Sequence, residues 1–245
     1  MSEQPALVAS DAHLGAAPPE HESAFRAFLR FAGSETRDLV LNGDVFDFWF
    51  EYRTVILRRH FRVLSLLSEL VDAGVRVRLV GGNHDAWGGA FLREEIGIEL
   101  LEGPVTTRVG GRRAYLAHGD GLAGGDRRYR WLRRLLRGRV AAAAFRAIHP
   151  DRASWIIRRV SKTEARARDG SDPDPERAAR LSARAEALLA EDPELQIVIF
   201  GHSHEPELRE IGRDRHYLNA GDWVRNCTYG VVGPSGVALR QWSRR

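Results

Sequence analysis

The chain has 245 residues, 43% apolar and 29% charged, with 37 basic and 33 acidic side chains and a formal net charge of +4. That composition excludes a disordered chain and leaves ample material for one sizeable core. A single cysteine, Cys227, excludes an internal disulfide, no apolar run approaches a membrane span, and Met1–Pro5 shows no leader, so the expectation is a soluble cytosolic protein.

Taken in order, the apolar runs end repeatedly in Gly, Asp, Asn or His. Leu7-Val8-Ala9 leads into Ser10-Asp11-Ala12-His13, and Leu39-Val40-Leu41 into Asn42-Gly43-Asp44. Arg53–Ala73 then places Ile56, Val63, Leu67 and Leu70 near helical spacing, with Gly74 as the stop. Val77-Arg78-Leu79-Val80 leads into Gly81-Gly82-Asn83-His84-Asp85, and Ala114-Tyr115-Leu116-Ala117 into His118-Gly119-Asp120. Short, nearly continuous apolar runs suit strands covered on both faces.

Residues 122–170 break this rhythm. They hold thirteen arginines and Lys162 against Asp126, Asp151, Glu164 and Asp169, a local net charge of +10. Tyr129, Leu132, Leu136 and Val140 recur at helical spacing, and Asp151 begins a second pattern with Trp155, Ile156 and Val160. The segment is expected to be a basic helical insertion, a lid folded over one domain that spans residues 1–245. Asp174 is the predicted cap and Pro175 the first residue of a helix running to about Glu191. Ile197-Val198-Ile199-Phe200 leads into Gly201-His202-Ser203-His204, and hairpins are expected around Gly212 and Gly233-Pro234-Ser235-Gly236.

Five of the nine histidines, His13, His84, His118, His202 and His204, follow predicted strands, as do Asp11, Asp44 and Asn83. Ligands gather at the carboxyl ends of strands in α/β sheets, so these residues can converge although they are distant in sequence. Imidazole, carboxylate and amide oxygen together suit borderline divalent ions such as Mn²⁺, Fe²⁺ or Zn²⁺. The number of candidate ligands fits two ions better than one. His21, His60, His149 and His216 lie outside these fragments; His21 and His60 read as surface or satisfied core residues, and His216 lies close to Asn219-Ala220-Gly221-Asp222.

Asp11-x-His13, Gly43-Asp44-x-x-Asp47, Gly82-Asn83-His84-Asp85, His118-Gly119-Asp120 and Gly201-His202-x-His204 together resemble the calcineurin-like metallophosphoesterase signature. The resemblance implies an α/β fold, a four-layer α/β/β/α sandwich, with two divalent metal ions. Carried over residue by residue, it puts Asp11, His13, Asp44 and His204 on one metal, and Asp44, Asn83, His118 and His202 on the other, with Asp44 bridging. His84 becomes the catalytic candidate for polarising phosphate or protonating the leaving oxygen. Asp85 is placed either to orient that imidazole or to close a structural Asx turn, and Asp47 to support a ligand.

A narrower resemblance is to the UDP-2,3-diacylglucosamine hydrolases of the lipid A pathway. It rests on Asn42-Gly43-Asp44-Val45-Phe46-Asp47-Phe48-Trp49-Phe50, on His118-Gly119-Asp120-Gly121-Leu122 with Asp126 and Tyr129, and on Ser161-Lys162 in the insertion. It implies Mn²⁺-dependent cleavage of the substrate pyrophosphate to UMP and 2,3-diacylglucosamine 1-phosphate. Substrate contacts would fall on Asn83, His84, Asp126, Tyr129, Ser161, Lys162, Arg168 and His202. Well-known members carry GNRD where this chain has Gly82-Asn83-His84-Asp85. A basic lid would suit both an anionic UDP-linked glycolipid and the anionic cytoplasmic face of the inner membrane, giving a peripheral cytoplasmic enzyme. The alternatives are action on other phosphodiesters, nucleotides or nucleic acid, and a non-catalytic interaction scaffold. No nucleic-acid-binding motif is recognisable in the basic stretch.

Overall fold

Alternation along the strands sorts the core into three apolar layers, because successive side chains of a strand point to opposite faces. The layers come from a computed structural model that describes residues 4–82, 89–122, 147–153, 155 and 174–243. Its elements in order are β1 (Ala6–Ala9), α1 (Pro19–Glu35), β2 (Asp38–Leu41), α2 (Phe61–Asp72), β3 (Arg76–Val80), α3 (Ala90–Glu94), β4 (Glu99–Leu101), β5 (Val105–Val109) and β6 (Arg112–Leu116), followed by α4 (Pro175–Glu191), β7 (Ile197–Phe200), β8 (Glu207–Glu210), β9 (His216–Asn219), β10 (Thr228–Gly233) and β11 (Gly236–Gln241).

One sheet has the order β11-β10-β1-β2-β3-β4 and the other β5-β6-β7-β9-β8. Leu7, Ala9, Leu39, Leu41, Val77 and Leu79 turn outward from the first sheet against Phe25, Phe28 and Leu29 of α1 and Leu64 and Leu67 of α2. On the opposite face, Ala6, Val8, Val40 and Val80 meet Ala114, Leu116, Ile197 and Ile199 of the second sheet. Val198 and Phe200 face outward again, under Leu181, Ala185 and Leu189 of α4. Helix, sheet, sheet and helix therefore stack as the four expected layers. A ring cluster closes the α1 side: Phe28 lies 4.9 Å from Trp223 and 5.1 Å from Tyr229.

Local signals are obeyed where they are strongest. Asp174 caps α4 by accepting from the Arg177 amide at 3.1 Å, and Pro175 opens the helix. The two late hairpins form, but they are divided between the sheets, with β9 parallel to β7 and β10 antiparallel to β1. The helix expected over Arg53–Ala73 is shorter: a 3-10 turn at Arg58–His60 leads into α2 at Phe61, and Ile56 is exposed in the preceding loop. No side chain caps that start, and Glu51 ties the loop down by accepting from the Phe91 amide at 3.2 Å. Strands β4 and β5 are additions to the sequence-based expectation.

Arg78 sits fully buried in the face between the sheets. Its guanidinium makes two hydrogen bonds to the Asp38 carboxylate, at 2.9 and 2.5 Å, and a third to the Arg108 carbonyl at 3.0 Å. A buried charge is tolerated there because the planar fork is matched by the carboxylate. Of the expected lid, Leu122, residues 147–153 and Trp155 are described; residues 150–153 are helical and Ala153 is buried. Among the described residues, no helix is long and apolar enough to cross a membrane.

Candidate metal centre

The parallel strands of both sheets end at one edge, and the turns after them carry the polar fragments. The turns that follow β1 and β2 run side by side: the amides of Asp11, His13 and Leu14 donate to the carbonyls of Gly43, Asp44 and Val45 at 3.0, 2.9 and 3.0 Å. The second sheet is stitched to the first at the same edge, where buried Asn42 Nδ2 donates to the Ala117 carbonyl at 3.0 Å. The Gly201 amide donates to the His118 carbonyl at 2.9 Å, which aligns the turns after β6 and β7.

These turns are tight enough to force left-handed backbone on side-chain-bearing residues. Asp11 (φ 52°), His13 (φ 41°), Asp44 (φ 50°), His202 (φ 66°) and His204 (φ 62°) all adopt it. Such conformations cost of order 1–3 kcal/mol each and persist where surrounding structure over-determines them. Glycines give the room. Gly43 has φ 86°, and a Cβ on it would fall on the His118 ring, while a Cβ on Gly82 would fall on the Asp44 carboxylate.

Two groups result, Asp11 with His13 and His204, and Asp44 with His118 and His202; within each, the potential ligand atoms lie within 4.8 Å of one another. His13 Nε2 and His204 Nε2 face each other at 3.3 Å. Asp11 Oδ1 lies 3.4 Å from His204 Nε2 and 3.9 Å from both His13 Nε2 and His118 Nε2. Asp44 Oδ2 lies 3.1 Å from His118 Nε2 and 3.9 Å from His13 Nε2, so it reaches both groups.

Outer partners aim the imidazoles. His118 Nδ1 donates to the Asn42 carbonyl at 2.9 Å, and His204 Nδ1 donates to Asp222 Oδ2 at 3.2 Å. Occupying Nδ1 in this way leaves Nε2 turned toward the carboxylates, the arrangement by which outer groups orient metal-binding histidines. Asp222 is itself fixed, its Oδ1 accepting from the amides of Arg225 and Asn226 at 2.9 and 2.8 Å. Asp47 Oδ1 lies 3.7 Å from His13 Nδ1, and the Asp11 carboxylate accepts from the His202 amide at 3.1 and 3.2 Å.

The electrostatics follow from crowding buried carboxylates against imidazoles. Burial acts to lower the His118 imidazole, but Asp44 and Asp11 overcome it and hold the ring well above its ordinary value. Burial likewise opposes Asp11, the Asp222 hydrogen bond and the charges of Asp222 and Asp44 at His204, which is raised on balance. His202 is pushed well below its ordinary value, by burial first and then by repulsion from His118. Asp222 is raised by burial yet held low on balance by the His204 hydrogen bond and charge and by the two amides. Nitrogen and oxygen donors, two buried carboxylates and Nε2 atoms already aimed inward fit divalent cations of the borderline class.

Asp11, His13, Asp44, His118, His202 and His204 are thus brought together from four turns. Asn83, His84, Asp85, Asp126, Tyr129, Ser161, Lys162 and Arg168 lie outside the described residues. His216 stands at the start of β9, the end remote from Asn219, and so away from the centre. Asp222 is the residue that sequence reasoning passes over. Its signal is the same strand-Gly-Asp order as Gly43-Asp44, here Asn219-Ala220-Gly221-Asp222 after β9.

The family model described as calcineurin-like phosphoesterase matches residues 5–206, a span that includes all six clustered side chains. The chain belongs to that family. The calcineurin-like phosphoesterases imply a two-metal centre, and the two groups are its candidate ligand sets. Curated relatives extend the likeness over nearly the whole length. A UDP-2,3-diacylglucosamine hydrolase from Porphyromonas gingivalis is 31% identical, covering 94% of each chain. Another from Ralstonia nicotianae is 34% identical over 96% of this chain and 88% of its own. A third, from Azotobacter vinelandii, is 30% identical over 95% and 96%.

Proposed function

We propose that the chain is a two-metal hydrolase that cleaves the pyrophosphate of UDP-2,3-diacylglucosamine, releasing UMP and 2,3-diacylglucosamine 1-phosphate. The observation that carries this reading is the convergence of Asp11, His13 and His204 with Asp44, His118 and His202 at one sheet edge, in a chain whose relatives bear that enzyme's name. In this reading Asp11, His13, Asp44 and His204 hold one ion. Asp44, Asn83, His118 and His202 hold the second, and Asp44 bridges them. Mn²⁺ is the proposed metal, in keeping with the mixed nitrogen and oxygen donors.

When bound, a pair of ions supplies Lewis acidity toward phosphate and a nucleophile at neutral pH. The chain's own residues do the remaining work. Asp222 and the Asn42 carbonyl hold the tautomers of His204 and His118. Gly82 brings the backbone against Asp44 immediately before Asn83, which supports an Asn83 amide oxygen as a neighbouring ligand. His84 polarises the phosphate or hands a proton to the leaving oxygen, and Asp85 orients it. Asn83, His84, Asp126, Tyr129, Ser161, Lys162, Arg168 and His202 contact substrate, most of them from a basic lid over residues 122–170. The enzyme works in the cytoplasm, peripheral to the inner membrane. A full complement of donor side chains disfavours the scaffold reading.

The test is release of UMP by the purified protein with Mn²⁺, comparing UDP-2,3-diacylglucosamine, UDP-glucose and an aryl phosphodiester. Turnover of the diacyl substrate alone among the UDP-sugars, lost with a chelator and in His84→Ala, is the expected outcome. Equal turnover of UDP-glucose would shift the reading to a general phosphodiesterase, and turnover independent of metal would end it.

A further inference from the structure

Exposed apolar surface is concentrated in one stretch of the described residues. Of the five large hydrophobic residues exposed among the described residues, three, Val55 (47%), Ile56 (37%) and Phe61 (64%), fall within seven positions. Residues 52–62 also carry four arginines and no acidic residue. Arg53, Arg58 and Arg62 are exposed, and among the described residues none of the three makes an ion pair. Phe61 opens α2 but lies off its buried face, which is formed by Val63, Leu64, Leu66, Leu67 and Leu70.

This surface is built, not frayed. His60 is buried beneath it, its ring 4.7 Å from Phe46 and 6.0 Å from Trp49. Arg59 donates to His60 Nε2 at 3.1 Å and lies against Gly15, in the turn that carries His13. Glu51 accepts from Trp49 Nε1 at 3.1 Å. The stretch is therefore anchored to the rim of the metal-centre turns. Beside it a cleft of about 670 Å³ is lined by Arg53, Val55 and Ile56 together with Glu51, Glu94 and Glu95.

Aliphatic and aromatic side chains interleaved with unpaired arginines match an interface that is apolar below and anionic above. A second copy of the chain would meet the same positive charge. Val55 and Ile56 offer nothing to the hydrogen-bonding edges of bases. We propose that residues 53–62 form a docking surface for an anionic phospholipid bilayer, with Val55, Ile56 and Phe61 entering the headgroup boundary and Arg53, Arg58 and Arg62 meeting lipid phosphates. The inference deepens the proposed function, since it rests on a substrate whose acyl chains are met at a membrane, and it places the contact on the core of the fold as distinct from the lid.

Flotation of the full-length, Mn²⁺-loaded protein tests it, using phosphatidylethanolamine–phosphatidylglycerol vesicles against pure phosphatidylcholine vesicles. The wild type is expected to float with the anionic vesicles only. Replacing Arg53, Arg58 and Arg62 together by Gln should lower partitioning by roughly a hundredfold, from about fivefold per arginine near such a surface. Val55→Ser with Ile56→Ser and Phe61→Ser should lower it at least tenfold, as salt alone would not. Circular dichroism and aryl phosphodiester turnover should be unchanged in both. Absent turnover in every protein would count against the proposed function while flotation still reads the docking surface. Undiminished flotation of both variants, equal binding to neutral vesicles, or loss only on replacing Arg127, Arg130, Arg133 and Arg134 would overturn the inference. So would duplex DNA binding without vesicle binding.

Discussion

His60 makes the fold sensitive to acid in a way that can be worked out and measured. It is buried between Phe46, Trp49 and the start of α2, and its Nε2 accepts from the Arg59 guanidinium. Burial first, and the adjacent Arg59 charge second, push its imidazole from 6.5 down to about 3, with the Phe48 backbone and Asp47 pulling the other way. In the unfolded chain the ring takes up its proton near the ordinary value, so between the two values the unfolded state binds more protons. Stability is then complete above the unfolded value and falls as pH falls through the window, by about 1.4 kcal/mol per pH unit. The loss reaches about 2 kcal/mol at pH 5 and about 4 kcal/mol near pH 3. Urea unfolding from neutral to acid pH, for the wild type and for His60→Phe at equal metal loading, isolates this contribution. The variant starts lower, because it abandons the bonds to Arg59 and Phe48, but its stability should decline less steeply with acid. Parallel curves would refute the reasoning.

Two further substitutions probe the centre itself. Asp222→Asn keeps an oxygen for the amides of Arg225 and Asn226 but removes the charge behind His204; metal affinity should fall about 10–100-fold in a chelator competition, with little change in melting temperature. Gly43→Ala forces a left-handed alanine against the His118 ring, and the backbone cost of about 1–2 kcal/mol should lower the melting temperature by about 2–8 °C and reduce the metal content read by elemental analysis.

Much of the centre is legible because its turns follow one grammar: an apolar run, a small or glycine residue, then Asp or His. Asp11, His13, Asp44, His118, His202 and His204 all obey it, and the structure brings them to one edge. The limits of α4 are legible too, since Asp174 and Pro175 act locally. Where distant groups decide, local pattern fails. Ile56 fits a helical period, yet the loop is held by Glu51 through an amide forty residues on. Arg78 reads as a polar interruption in a strand, and only Asp38 and the Arg108 carbonyl make its burial tolerable. Asp222 escapes notice because its partner, His204, belongs to another turn. Strand β4 is three residues long and half-buried, too short to show a period.

The left-handed residues at positions 11, 13, 44, 202 and 204 have an implication for how such a protein could change. Glycine would relieve the torsion at every one of them, so the backbone taken alone favours drift that way. Each aspartate and histidine kept there opposes that drift. Glycine replacement at these sites relieves that torsion but gives up the bonds the side chains make, as at Asp11, whose carboxylate accepts from the His202 amide.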